Sequence, residues 1–338
     1  MSMPLVSVVM PVYNASVFLR AAIESIINQS FKDFELILIN DGSTDDSEII
    51  IRSYNDVRIR YKFQQNGGVA NALNTGLRMA AGKYIWRHDA DDTSLPDKLK
   101  QQVEFLEKNP VYALCATQIA FMTERGKIAL NFRQPKDHYF DDAPFIEVKR
   151  EHFNPYSPIT HATVLIKRDI IEEFRGFRTE FLTAEDVDLW LRIIQKHKAA
   201  VLNSCNYFVR LNKASATKRH GWKNEFYRNL AFKFYDQRER TGKDDLERGI
   251  PVVLPKPPAS ITPVEEERGK RFRGDLLHFH YPLNLNAKDY KGAAEIIKYA
   301  VADGWKVSAT WKAIIIPVLG RPLVKAVVKT KKLLSISN

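Results

Sequence analysis

Four times between Val6 and Arg87 a short, β-branched run gives way to a polar turn, and three of those turns open a segment of helical periodicity. Val6–Val12 reads as a buried strand ended at Pro11, and Ser16 as the cap of a helix to about Gln29 carrying Phe18, Leu19, Ala22, Ile23 and Ile26. Phe34–Asn40 reads as a second strand and Asp46–Tyr54 as a helix. Arg58–Phe63 is a third strand, Val69–Ala80 a helix, and Tyr84–Arg87 a fourth strand. Such a rhythm predicts parallel β-structure with right-handed crossovers. The expected fold class is α/β: a Rossmann-like, mostly parallel sheet flanked by helices, with a mainly helical C-terminal extension.

In a sheet of that kind the strand ends share one edge, and open α/β sheets bind ligands there. The ends here are Tyr13-Asn14, Asp41, Asn66-Gly67 and Asp89-Ala90-Asp91-Asp92. The last places three carboxylates within four positions. Clustered carboxylates repel, and a hard divalent cation such as Mg²⁺ or Mn²⁺ relieves that repulsion, often with substrate phosphates completing its shell. The alternative is an acidic turn that caps the helix beginning near Leu95-Pro96. Asp41 is placed to accept hydrogen bonds from a base or ribose, although Asp41-Gly42-Ser43 read alone favours a turn with a helix cap. Gly67-Gly68 lets backbone approach an anion near a helix N-terminus, or simply turns the chain. Neither the dinucleotide fingerprint Gly-x-Gly-x-x-Gly nor the phosphate loop Gly-x-x-x-x-Gly-Lys occurs, which argues against NAD and ordinary ATPase sites.

Taken together, Val8-Val9-Met10-Pro11-Val12-Tyr13-Asn14, Asp41-Gly42-Ser43-Thr44-Asp45, Asn66-Gly67-Gly68-Val69-Ala70 and Asp89-Ala90-Asp91-Asp92 resemble family 2 glycosyltransferases of the GT-A fold, in order and spacing, over roughly the first 210 residues. The resemblance implies an inverting transferase that uses a nucleotide-activated sugar, UDP by family habit, and Mn²⁺ or Mg²⁺. It implies that Pro11, Val12, Tyr13, Asn14 and Asp41 hold the nucleoside, with Asn66, Gly67 and Asn71 beside them. It further implies that Asp89, Ala90 and Asp91 meet ribose and the metal diphosphate, Asp91 and Asp89 being the metal ligands. Thr183-Ala-Glu185-Asp186-Val-Asp188-Leu-Trp190 resembles the family's Glu-Asp-x-Asp-Leu-Trp segment. That makes Asp186 the expected base, with Glu185 as runner-up; read without the resemblance, these are carboxylates favoured by a helix dipole. A base is required because the acceptor hydroxyl must lose its proton as it attacks the anomeric carbon.

His161, before a strand expected over Thr160–Arg168, resembles a family position near the donor phosphates, although a lone histidine there more often serves structure. Many family members carry an Arg-x-His pattern after the strand Tyr207–Arg210. This chain has Asn212 at that place, with His220 as the candidate replacement. The Gln-x-x-Arg-Trp signature of processive polymerases is missing, which leans toward addition of a single sugar.

The remaining chain sets the domain expectation: a catalytic domain over 1–212, with nucleotide-sugar binding in about 1–110 and the acceptor side in about 111–212, and then a helical region over 213–338. Leu95–Lys108 reads as a helix, Ala113–Phe121 as a strand, and Arg125–Ile159 as a mobile loop over donor and acceptor. Lys213–Arg248 is basic and helical in pattern, 250–263 is a proline-rich linker, and 271–307 is helical again. The tail 305–338 is apolar and then basic, suited to an anionic bilayer or to docking on the protein itself. The formal charge of +11 favours anionic partners. Interleaved aromatics in 213–248 argue for packing over nucleic-acid binding. Two cysteines without metal-ligand spacing argue against a disulfide framework or zinc site and fit a reducing cytoplasm. No signal peptide and no run of some eighteen apolar residues is expected.

The expected partners are therefore a nucleotide-sugar donor, a glycan or lipid-linked saccharide acceptor and, peripherally, the inner face of an anionic plasma membrane. Two other readings stay open on sequence alone: a sugar-phosphate nucleotidylyltransferase, which would want a Gly-rich, basic loop after the first strand, and a non-enzymatic basic scaffold for membrane or nucleic acid.

Overall fold

The computed structural model describes residues 3–129, 143–153, 157–210 and 222–256. The chain divides into two compact units. The larger includes the described residues 3–120, 143–153, 157–209 and 222–255, and the smaller includes 121–129, Arg210 and Lys256.

In the larger unit, β1 (Val6–Val12), β2 (Phe34–Asp41), β3 (Ile59–Gln64) and β4 (Tyr84–Arg87) form the expected parallel sheet in the order β3-β2-β1-β4. Helices α1 (Ser16–Ile27), α2 (Ser47–Arg52) and α3 (Val69–Met79) make the crossovers. Beyond β4 the sheet turns antiparallel. β9 (Leu165–Lys167) pairs with β4 and with β6 (Tyr112–Met122), and β10 (Lys198–Arg210) pairs with β5 (Thr93–Ser94) and β8 (Phe145–Glu147). This is a mixed α/β architecture with a mostly parallel centre flanked by helices, as expected.

Residue alternation along the strands fills two cores. Val6, Val8, Met10, Leu36, Leu38, Tyr84 and Trp86 face α1, α2 and α4 (Lys98–Lys108). Val9, Ile85 and Ile166 face α3, α5 (Arg168–Glu173), α6 (Glu185–Ile194) and α7 (Trp222–Thr241). On the α3 side the approach is very close: a Cβ on Gly76 would meet Val9 Cγ1 at 2.3 Å, so only glycine fits.

Several local expectations change. Ser16 does not cap α1 with its own side chain. Its backbone N–H donates to Asp45 Oδ2 at 2.9 Å, and that of Ala15 donates to Ser47 Oγ at 3.0 Å, so the loop after β2 caps the helix after β1. The helix expected from Leu95 begins at Lys98, because Thr93 and Ser94 pair with β10. The strand expected over Thr160–Arg168 shrinks to β9, since His161–Thr163 is a 3-10 turn and Arg168 already opens α5. Within 125–159, the described Phe145–Glu147 pairs with β10 and Phe153 and Ile159 are buried, so these residues belong to the body of the sheet and core. The loop expectation for 130–142 and 154–156, together with Asn212, His220, 271–307 and the tail 305–338, falls outside the described residues.

In the smaller unit, Phe121 and Met122 of β6 pair with β7 (Ile128–Ala129), and Arg210 Nη1 donates to Glu124 O at 3.0 Å. Among the described residues no helix is long and apolar enough to cross a membrane.

Candidate active site

Two groups of polar residues gather at the C-terminal edge of the parallel strands. The first is a loop cradle at the ends of β1, β2 and β3. Val12 is level with Asn40, and Asp41 with Gln64. Asn14, in the left-handed region at φ 49°, accepts the Thr44 N–H on Oδ1 at 2.8 Å and donates its own N–H to Ser43 Oγ at 3.0 Å. Tyr13 beside it leaves 43% of its surface exposed.

The Asp41 carboxylate is heavily used by the protein itself. Gln64 Nε2 donates to Oδ1 at 2.7 Å, the Gly67 N–H to the same oxygen at 2.9 Å, and the Gly68 N–H to Oδ2 at 2.9 Å. Asn71 Nδ2 closes the loop onto Gly67 O at 2.9 Å. A Cβ on Gly42, at φ +75°, would meet Asn66 N at 2.8 Å, so the two loops abut.

The second group joins the end of β4 to the start of α6. Asp89 Oδ2 lies 2.7 Å from His161 Nε2, and His161 Nδ1 lies 3.2 Å from Asp186 Oδ2. One imidazole therefore bridges the first carboxylate of the Asp-x-Asp turn and the first-turn carboxylate of α6. Beside it, Arg87 Nε donates to Asp89 Oδ1 at 3.3 Å and Arg87 Nη1 to Glu185 Oε1 at 3.1 Å. The Asp89 N–H donates to Tyr207 Oη at 3.3 Å. Ala184 precedes α6 in the left-handed region, φ 58° and ψ 23°, a conformation costly for a residue with a Cβ. That geometry turns the chain so that Glu185 and Asp186 enter the cluster.

The turn bearing His161 is held from behind. Trp86 Nε1 donates to Ala162 O at 3.2 Å, Gln102 Nε2 to Thr163 O at 2.8 Å and Lys98 Nζ to Thr163 O at 3.3 Å. Lys98 is fully buried, its Nζ 4.1 Å from the Trp86 ring centre, and burial pushes its pKa well below the ordinary lysine value.

The electrostatics of the cluster follow from these contacts. Burial and Arg87 both act to lower the His161 pKa, yet the carboxylates of Asp89 and Asp186 raise it to about 10. Burial would raise Asp89, but Arg87 and His161 hold it well below the usual carboxylate range. Asp186 likewise is lowered, its desolvation overcome by the bond to His161. Glu185 is raised, because its burial outweighs the attraction of Arg87. Its side chain is 7% exposed against 14% for Asp186, so Asp186 is the more accessible of the two.

Among the described residues no three His, Cys, Asp or Glu side chains form a group that could hold a metal ion unaided. Both oxygens of Asp89 already have protein partners. Even so, Asp89, Glu185 and Asp186 outnumber the cations Arg87 and His161, and the partly buried Asp91 adds a further carboxylate two residues from Asp89. This hard-oxygen surplus fits a divalent cation held by one or two carboxylates with diphosphate oxygens supplying the rest.

Of the residues singled out in the sequence, Pro11, Val12, Tyr13, Asn14, Asp41, Asn66, Gly67 and Asn71 thus lie at the first group. Asp89, His161, Glu185 and Asp186 meet in the second, with the buried Ala90 and the partly buried Asp91 in the turn that follows. Sequence reasoning missed Arg87, Tyr207, Gln64 and Lys98. Arg87 alone carried a signal, as a charge at the end of an apolar strand.

A family model described as glycosyl transferase family 2 matches residues 7–182. An uncharacterized glycosyltransferase of Haemophilus influenzae is 34% identical over 257 residues, covering 72% of this chain and 92% of that protein. The minor teichoic acid biosynthesis protein GgaB of Bacillus subtilis is 36% identical over 215 residues, covering 61% of this chain and 23% of GgaB. The mannosyltransferase PcManGT of Pyrobaculum calidifontis, solved in complex with GDP-Man and Mn²⁺, superposes with a TM-score of 0.54 at 19% identity, covering 100% of this chain and 87% of that one.

Proposed function

The chain belongs to glycosyl transferase family 2 and is a transferase enzyme; from that premise we propose an inverting transfer of a sugar from a nucleotide-sugar, a UDP-sugar by family resemblance, to a hydroxyl of a glycan or lipid-linked acceptor. The readings as a nucleotidylyltransferase or a non-enzymatic scaffold give way to the family match.

The observation that carries the proposal is the His161 bridge between Asp89 and Asp186. It supports a donor diphosphate and an attacking hydroxyl meeting within one cluster. The first group of loops, with Tyr13 half exposed, holds the nucleoside. Asp186 takes the acceptor proton as the hydroxyl attacks the anomeric carbon from the face opposite the diphosphate. Its greater exposure favours it over Glu185, which is turned toward Arg87. Arg87 and His161 orient the two carboxylates. Asp91 with Asp89 would hold Mn²⁺ or Mg²⁺, which when bound stabilises charge on the departing diphosphate.

The catalytic domain is taken as 1–212, with 213–338 as a helical extension whose tail contacts an anionic membrane from the cytoplasmic side. Similarity to GgaB, a teichoic acid biosynthesis protein, supports a place in surface polysaccharide synthesis.

The test is a pair of variants assayed with a panel of nucleotide sugars and Mn²⁺. Asp186→Asn is expected to keep donor binding, read as thermal stabilisation, while transfer falls about 10²–10⁴-fold. Asp91→Ala is expected to abolish Mn²⁺-dependent donor binding. Full transfer by Asp186→Asn removes the base assignment.

A further inference from the structure

The loop cradle contains a residue with no assigned role. Gln64 ends β3, level with Asp41, and its Nε2 donates to Asp41 Oδ1 at 2.7 Å. An ionised carboxylate only accepts hydrogen bonds, so the amide must turn its NH₂ toward Asp41. Its carbonyl oxygen Oε1 is thereby fixed as a free acceptor; among the described residues it has no hydrogen-bond partner.

Asp41 itself has little left to offer. Three protein N–H donors occupy it, two on Oδ1 and one on Oδ2, and it is nearly buried. Each carboxylate oxygen has two lone pairs, so one acceptor position remains, on Oδ2. The carboxylate thus serves chiefly as the clasp of the Gly67-Gly68 loop. Strand alternation puts Asp41 and Gln64 on the same face of the sheet, the α3 face, because Ile37 and Ile39 of β2 pack on Ala72 of α3. Tyr13, half exposed one strand away, offers an aromatic face at the same edge. Bases stack on such faces with little regard to sequence, so stacking alone does not choose among them.

We infer that Gln64 is a specificity-determining residue for the donor base: its Oε1, with the last lone pair of Asp41, selects a base that carries an imino N–H on its pairing edge. Uracil and thymine at N3 and guanine at N1 carry that proton. Cytosine presents a bare acceptor at N3, which would face two acceptors. This inference rests on the nucleotide-sugar reading above and narrows its donor to a uridine, thymidine or guanosine diphosphate sugar.

The test measures the affinity of the purified full chain for UDP, GDP and CDP by calorimetry with Mn²⁺ present. The wild type is expected to bind UDP or GDP at least about tenfold more tightly than CDP. Gln64→Met, close in volume but without the acceptor, is expected to lose about tenfold on the preferred nucleotide and little on CDP, so that the ratio collapses. The ratio of dissociation constants is unaffected by any fraction of the variant that fails to fold. An unchanged ratio overturns the inference, as does an equal loss on all three nucleotides, which would mean that Gln64 acts only by steadying Asp41. A wild type that binds none of the three overturns the nucleotide-sugar reading and the inference together.

Discussion

Helix α6 feeds two charged clusters from within its first turn, and they behave oppositely. Glu185 and Asp186, at its start, meet Arg87 and His161 in a group that keeps a surplus of carboxylates and reaches solvent. Asp188, two residues on, is fully buried. Arg192 Nε donates to its Oδ2 at 2.9 Å and Arg178 Nη1 to its Oδ1 at 3.2 Å. The rear cluster then continues: Arg178 Nη1 donates to Asp244 Oδ2 at 2.8 Å, Arg238 pairs with the same oxygen, and Arg192 also donates to Phe174 O and Gly176 O. Charges there are balanced, Arg178, Arg192 and Arg238 against Asp188, Asp244 and Glu247. Identical side-chain chemistry becomes a strut where partners are complete and an open, unbalanced cluster where they are not.

That contrast can be broken from either side. Asp188→Ala leaves two arginines facing a vacated carboxylate in the interior, and the expected loss of folding stability is roughly 3–5 kcal/mol, read from denaturant unfolding. Asp186→Asn, only two residues away, should leave the unfolding free energy within about 1 kcal/mol of wild type while transfer collapses. Comparable destabilisation by the two variants would erase the distinction.

The donors behind the His161 turn sharpen it further. Lys98→Met keeps the buried stem and leaves Thr163 O its bond from Gln102. We expect transfer to fall about tenfold with donor binding unchanged, as in other cases where a group near the chemistry is misplaced. The His161 ring ¹⁵N shifts should move as well, a signature that a merely structural role for Lys98 would not produce.

The smallest effect concerns acid. Burial acts to raise the Asp244 pKa, but hydrogen bonds from Arg178, the Glu247 N–H and Arg238 hold it below the ordinary value. A folded-state value below the unfolded one means that this stabilisation is complete above the unfolded carboxyl pKa of about 3.9. It is lost as pH falls through the lower folded value. Unfolding free energy should therefore decline below about pH 4, and Asp244→Asn should flatten that decline. An unaltered slope in Asp244→Asn would detach the rear cluster from acid stability.

The parts legible in the sequence are those whose signal is local. Each strand end was visible as a polar break after a β-branched run, and Asp41, Asp89 and Asp186 stand where such breaks and a helix start place them. What escaped depends on contacts across long stretches of chain. His161 was marked by resemblance only, and its central place comes from bonds to residues 72 positions before it and 25 after it. Arg87 and Glu185 are 98 positions apart. The clasp formed by Asp41 escaped for another reason: a carboxylate on a sheet edge reads as a group awaiting ligand, and nothing in its neighbours announces that backbone N–H groups from the Gly67-Gly68 turn will occupy it first.

The contact of Gly76 with Val9 acts at a distance. Helix α3 is a stiff rod whose far end opens at Gly68, eight residues or about 12 Å from Gly76. The seat of that rod on β1 sets the height of the Gly67-Gly68 loop above the sheet. A single methyl group at the pivot would therefore be felt as a lifted lip on the loop cradle, with every polar contact there still intact in kind and none in register.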